Sequence, residues 1–226
     1  VLQITGTNGK TTTKELISAV LSEGMNVLFT EGNLNNHIGV PLTLLRIRPE
    51  HDIAVIETGA NHPGEITLLS NIAQADFGLI TNVGRAHLEG FGSFEGVKQT
   101  KGELYDDLYK RGKQIFLNTS DEDLVQMAIG RGFVLRKDAL PYIEGVVDAV
   151  TPFVEMKWRP ANVQPWRTTT TNLVGSYNIA NLCAAVTIGL YFGITLEQID
   201  HALSTYYPTN SRSELRVAGS NRLIID

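Results

Sequence analysis

Short, nearly continuous apolar runs alternate with stretches in which apolar residues recur every three or four positions through the first half of the chain. Val1 to Thr5 reads as a strand. Lys10 to Glu23 reads as a helix, because Leu16, Ile17, Val20 and Leu21 then share one face, and Gly24 ends it. A second strand is expected at Asn26 to Thr30. The runs Ile53 to Ile56, closed by Glu57, and Phe77 to Thr81 have the pattern of buried parallel strands, whose carboxyl ends face a ligand crevice. Ser93 to Tyr109 predicts another helix and Gln114 to Leu117 another strand. From about Phe133 to Val174 Val and Thr alternate with polar residues, Pro141, Pro152, Pro160 and Pro165 interrupt, and Gly145 suggests a turn, so a small antiparallel sheet is expected. Asn178 to Tyr191 and Leu196 to Leu203 return to helix before strands near Leu215 to Val217 and Arg222 to Ile225. The fold class predicted is α/β, a mainly parallel sheet flanked by helices with a small antiparallel subsheet.

Composition narrows the function. A chain of 226 residues, 42% hydrophobic and 19% charged, can bury one large core with room for a small subdomain. A formal charge of -5 with scattered basic residues leaves no electrostatic footprint for nucleic acid or an anionic membrane, so any phosphate must be held locally. The single cysteine, Cys183, lies in an apolar run and suits a buried reduced thiol, which predicts a cytoplasmic setting. No apolar stretch approaches the roughly twenty residues that span a bilayer, and the first residues lack a signal-peptide pattern. Val1 to Ile4 and Leu223 to Asp226 both read as strands at the chain's ends, which leads to the expectation of a piece of a longer protein.

The strongest motif is Thr5-Gly6-Thr7-Asn8-Gly9-Lys10-Thr11-Thr12 between a strand and an amphipathic helix. Glycines allow close backbone approach, and successive N–H groups at a helix N-terminus attract phosphate oxygens. Thr7, Asn8, Gly9, Lys10, Thr11 and Thr12 are therefore candidate nucleotide-binding residues, with Lys10 neutralising β- and γ-phosphates and Thr11 ligating magnesium. The spacing departs from Gly-x-x-x-x-Gly-Lys-Thr, since only Thr7 and Asn8 separate the glycines and Ile4 stands at the first-glycine position. This form resembles the phosphate loop of the Mur ligase and folylpolyglutamate synthase superfamily, ATP-dependent enzymes that join an amine to a carboxylate. The resemblance implies a P-loop NTPase-like central domain over residues 1–226, with flanking N- and C-terminal domains outside this chain.

Glu57 sits at a strand's carboxyl end, where a hard carboxylate suits magnesium; capping or salt bridging is the alternative. His87, in Thr81-Asn82-Val83-Gly84-Arg85-Ala86-His87-Leu88, reads from its residue type as a hydrogen-bonding loop histidine, because magnesium prefers oxygen. The resemblance instead implies that Glu57 and His87 contact a second magnesium. Asn82 lines the nucleotide pocket or stabilises a turn. Lys101 reads locally as an exposed helical lysine. The resemblance implies that it reacts with carbon dioxide to give a carbamate that helps organise the metal, which requires a neutral amine and hence burial.

Gly175-Ser176-Tyr177-Asn178-Ile179-Ala180-Asn181 resembles the family's Gly-x-His-Asn-x-x-Asn element, which implies adenine contact by Asn178; helix capping is the alternative, and Tyr177 replaces the histidine. Arg212 aligns with an arginine that reaches ATP phosphates, with Arg216 as rival and a surface salt bridge as the plain alternative. Asp226 resembles an aspartate near the ribose. The run Gly32-Asn33-Leu34-Asn35-Asn36-His37-Ile38-Gly39-Val40-Pro41-Leu42-Thr43-Leu44-Leu45, with Glu57 to Asn61 and Ala86 to Ser93, resembles members that add D-alanyl-D-alanine to UDP-N-acetylmuramoyl-tripeptide. Asn33, Asn35 and Asn36 are then candidates for contacting the muramoyl-peptide, or simply stabilise their own turns.

The resemblance implies an acyl-phosphate mechanism with Lys10, His87, Lys101 and Arg212 as catalytic residues. ATP and two magnesium ions are the expected cofactors, held through Thr11, Glu57, His87 and a carbamylated Lys101. The parent is expected to be a monomeric peptide ligase of cell-wall synthesis, and this chain alone to ligate little. Folylpolyglutamate synthase, another muramyl ligase and a non-ligating nucleotide switch remain the competing readings.

Overall fold

A computed structural model gives the structure of the chain and describes residues 1–84, 91–160, 165–208, 214–218 and 221–225; for the last two segments only the backbone and the exposure of Leu223 are described. The chain divides into two compact units. One comprises Val1–Lys14 and Met25–Tyr142, the other Glu15–Gly24 and Ile143–Asp226.

The first unit is built on a six-stranded parallel sheet. Its strands are β1 (Leu2–Thr5), β2 (Val27–Phe29), β3 (Ile53–Glu57), β4 (Phe77–Ile80), β5 (Gln114–Leu117) and β6 (Ala139–Pro141), in the order β2-β3-β1-β4-β5-β6. Every residue of β1 and β3 is buried, which is why these runs carry no polar alternation. Gln3, fully buried in β1, donates from its amide nitrogen to the hydroxyls of Thr58 (3.1 Å) and Ser70 (3.0 Å), while its Oε1 has no partner among the described residues. The order places β1 between β3 and β4, with Leu2 opposite both Val55 and Phe77. The connection leaving β1 runs towards β2 and that leaving its neighbour β4 runs the opposite way to β5, so a crevice opens where the segments leaving β1, β3 and β4 meet.

Helices α1 (Lys10–Ser22), α2 (Gly39–Leu44), α3 (Glu65–Ala73), α4 (Phe94–Lys110) and α5 (Glu122–Ile129) follow successive strands. Leu16, Ile17, Val20 and Leu21 of α1 are all fully buried, as their spacing predicts. Helix α4 begins where Ser93 accepts the Gly96 N–H at 3.0 Å. Its Glu103 receives the backbone N–H groups of Gly64 (2.7 Å) and Thr67 (2.8 Å), so α4 caps the start of α3.

The second unit carries an antiparallel sheet of β7 (Glu144–Val150), β8 (Phe153–Arg159) and β9 (Arg167–Val174), then α6 (Ile179–Tyr191), α7 (Leu196–Thr205) and a hairpin of β10 (Glu214–Ala218) and β11 (Asn221–Ile225). Two expectations need correction. The segment from Phe133 does not belong wholly to the antiparallel sheet, since Ala139–Pro141 pairs in parallel with β5. Gly145 marks no turn; it lies inside β7, where an added Cβ would collide with the Cys183 sulfur of α6. A glycine there lets the helix pack directly on the strand.

Candidate active site

Three chain segments converge at the carboxyl ends of β1, β3 and β4. After β1 the backbone turns through Gly6, with φ of +146°, and Gly9, with φ of +74°, into α1. A Cβ on Gly6 would also strike the Thr81 hydroxyl, so glycine is required there twice over. The Thr13 N–H is bonded to the Gly9 carbonyl at 2.8 Å, and the N–H groups preceding it form the open end of the helix, where anions are favoured. The Lys10 ammonium is folded back over the loop, donating to the carbonyls of Gly6 (2.9 Å) and Thr7 (3.0 Å).

The segment after β4 grips this loop. Asn82 accepts the Thr7 N–H on its main-chain carbonyl (3.0 Å), and its side-chain amide both accepts the Asn8 N–H and donates to the Asn8 carbonyl, each at 3.0 Å. Thr81 donates to the same Asn8 carbonyl at 2.6 Å, and the Gly84 N–H donates to the Thr7 hydroxyl at 2.9 Å. Asn82 thus bonds the loop after β1 across 74 residues rather than its own turn.

Glu57, at the end of β3, is 1% exposed. Its Oε1 accepts from the Asn35 amide at 2.8 Å and from the Thr11 hydroxyl at 3.3 Å, while its buried Oε2 has no hydrogen-bond partner among the described residues. A buried carboxylate oxygen without a donor is costly on its own, and a cation would satisfy it. Carboxylate and hydroxyl oxygens are the donor set that magnesium takes alongside phosphates and water, so these residues fit that ion. Asn35 is held in turn by its carbonyl, which accepts the Gly59 N–H at 2.8 Å. The Asn35–Glu57 contact was not foreseen from the sequence; the only signal was the asparagine-rich run itself. Asn36 uses its side chain on the N–H groups of Ile38 (3.0 Å) and Gly39 (2.9 Å), the local-turn alternative.

Lys101 of α4 is not an exposed helical lysine. It is 3% exposed, donates to the Ala60 carbonyl at 3.1 Å and lies 5.3 Å from the centre of the Phe91 ring. Burial, helped by the nearby Lys10 charge, lowers its pKa to about 8. Lys10, Asn35, His37, Glu65 and Lys101 all line one cavity of about 480 Å³. Glu65 was not singled out from the sequence. Burial opposes its charge, but the N–H groups of Asn61 and His62, at 2.6 and 2.9 Å, hold its carboxyl below the usual range.

Asn178 belongs to the second unit. Its nitrogen donates to the carbonyls of Val174 (2.9 Å) and Gly175 (3.4 Å), and its oxygen accepts from Asn181 at 3.0 Å. It precedes α6 without a side-chain capping bond, which corrects the capping alternative. His87, Arg212 and Asp226 lie outside the described residues, and of Arg216 only the backbone is described.

A parallel sheet whose middle strand runs through a two-glycine loop into a helix N-terminus, beside a buried carboxylate, defines a P-loop type of phosphate-binding α/β domain. Comparison with known proteins narrows this class. The chain belongs to the Mur ligase middle domain family, whose model matches residues 4–189. It is 36% identical over 250 residues to the UDP-N-acetylmuramoyl-tripeptide–D-alanyl-D-alanine ligase of Escherichia coli (strain K12), covering 100% of this chain and 51% of that one. The Bacillus subtilis (strain 168) ligase of the same name is 36% identical over 236 residues, covering 100% and 49%. The crystal structure of MurF from Acinetobacter baumannii superimposes with a TM-score of 0.87 at 30% identity, over 100% of this chain and 50% of that one. The chain thus spans about half the length of these relatives.

Proposed function

We propose that residues 1–226 are the ATP-binding central part of a ligase that adds D-alanyl-D-alanine to UDP-N-acetylmuramoyl-tripeptide, with further domains supplying the rest of substrate recognition. The observation that carries this reading is the pairing of Thr11 with Glu57 at the phosphate loop, next to a polar cavity that holds the low-pKa Lys101. The similarity of the whole chain to ligases of that name supports the choice of substrates.

In this reading the open N–H groups at the start of α1 orient the β- and γ-phosphates, and Lys10 offsets their charge. A substrate carboxylate oxygen attacks the γ-phosphorus while the bond to ADP breaks, leaving an acyl phosphate. The amine of D-alanyl-D-alanine then attacks the acyl carbon, phosphate departs with the bonding pair, and the nitrogen loses a proton. Thr11 and Glu57 would hold magnesium, which when bound supplies positive charge at the phosphates. Asn35 fixes the Glu57 carboxylate by occupying one of its oxygens. The cavity beside Lys10 would place the attacking carboxylate next to the loop.

In the complete natural protein, phosphate release from ATP is expected to require UDP-N-acetylmuramoyl-tripeptide together with D-alanyl-D-alanine. Release with folate and glutamate, or with neither pair, would replace this reading by folylpolyglutamate synthesis or a nucleotide switch.

Lys101 is proposed to carry a carbamate, formed as its neutral amine adds to carbon dioxide and releases a proton. With a pKa of about 8, roughly one-tenth of the free amine is neutral at pH 7 and roughly nine-tenths at pH 9. At fixed dissolved carbon dioxide, a ¹³C-carbamate resonance is expected to grow between those values and to vanish in Lys101→Met. Its absence from the unsubstituted protein at both pH values would remove the modification from the scheme.

A further inference from the structure

The phosphate loop of this chain lacks the usual first glycine, whose position Ile4 takes inside β1, and the structure shows what shapes the loop instead. The turn begins only at Gly6, with two residues between it and Gly9, because Ile4 and Thr5 still belong to β1. Its Thr7 and Asn8 N–H groups do not point to a phosphate position, because both are spent on Asn82. We propose that Asn82 is a positioning residue for the phosphate loop: it acts through Asn8, holding the loop in its binding shape without touching the nucleotide.

Three hydrogen bonds join Asn82 to the loop, two of them forming a closed pair between its amide and the peptide groups of Asn8. This pairing resembles one rung of a β-ladder, supplied by a side chain where the strand β4 has ended. Thr81 adds a bond to the same carbonyl and Gly84 one to the Thr7 hydroxyl, so β4 and the residues after it serve as the loop's outer wall. Gly6 has no side chain for the reason already given, and that closeness lets Thr81 and Asn82 reach the loop. With Thr7 and Asn8 tied down, phosphate contact passes to Lys10 and to the N–H groups that open α1. The loop is therefore shaped before the nucleotide arrives, and ordering it costs the ligand little.

This inference rests on the proposed nucleotide site, and the test separates the two. Binding of magnesium-ATP and of magnesium tripolyphosphate, which has no base or sugar, is measured by calorimetry for the complete natural protein and for Asn82→Ala. A positioning role predicts that both ligands weaken by the same factor, about tenfold for the lost pair of bonds. The backbone amides of Thr7 and Asn8 should exchange with deuterium faster, while those of β1 and the thermal midpoint stay near their original values. The shape-preserving Asn82→Asp keeps the acceptor for the Asn8 N–H but loses the donor and adds a charge that repels phosphate by itself, so it is read by exchange alone. Its Asn8 amide should stay slower than in the alanine variant, which guards against a folding defect there. Loss of ATP binding with tripolyphosphate unchanged would make Asn82 a nucleoside contact and overturn the inference. So would unchanged binding of both. If the unsubstituted protein binds neither ligand, the nucleotide site itself fails and the inference with it.

Discussion

Lys10→Met is expected to lower ATP-dependent turnover by about two to three orders of magnitude, the usual range for removing one fixed electrostatic group from a transition state. The ammonium is already tethered to the carbonyls of Gly6 and Thr7, so it does not need to be recruited from solvent when phosphate arrives. Methionine keeps the aliphatic stem along the loop and deletes only the charge and its donors. Because Lys10 is partly exposed and its printed bonds go to two loop carbonyls, the thermal midpoint should move much less than turnover does. Steady-state turnover and a melting curve together check this; a fall of less than tenfold with an intact fold would mean the phosphates lie elsewhere.

The second large effect is expected at Glu57, with opposite signs for activity and stability. Glu57→Gln keeps the shape of the side chain but removes the charge, so turnover should fall by about two orders of magnitude and the magnesium requirement should rise. Titration with Mn²⁺ followed by electron paramagnetic resonance should show weaker binding at this site without reference to catalysis. Without metal, the original protein buries a carboxylate oxygen that no described group satisfies. The neutral amide relieves that burial, so the metal-free variant should melt at the same temperature or above. A variant that binds Mn²⁺ as tightly as the original would take Glu57 out of the metal site.

What could be read from the sequence depended on how local each interaction is. The strand Gln114–Leu117 and the buried face of α1 follow from runs and spacings within a few residues, and both are present. The strand β6 has only three residues and ends in proline, so nothing in its own pattern distinguishes it from a turn; its parallel partner β5 defines it. Helices α3 and α5, of nine and eight residues, did not stand out from the loops around them, whereas α7, of ten, did. The site divides the same way. The glycine loop is continuous in sequence and was readable, whereas Asn82 meets Asn8 across 74 residues and Asn35 meets Glu57 across 22, through strand order alone. Lys101 shows the gap most directly: its helix was expected, but its burial depends on packing beside Ala60 and Phe91.

Gly145 and Cys183 lie against each other inside the second unit, and burial pushes the thiol up to about 12. At neutral pH almost none of it is thiolate, the form that attacks maleimides and iodoacetamides. Since it is the only cysteine of the 226 residues, this stretch by itself is a silent background for labelling. A cysteine introduced at an exposed position such as Glu122 or Lys157's neighbour Asp148 could carry a fluorophore or spin label by itself, with no need to mutate Cys183 and disturb the helix packed against β7.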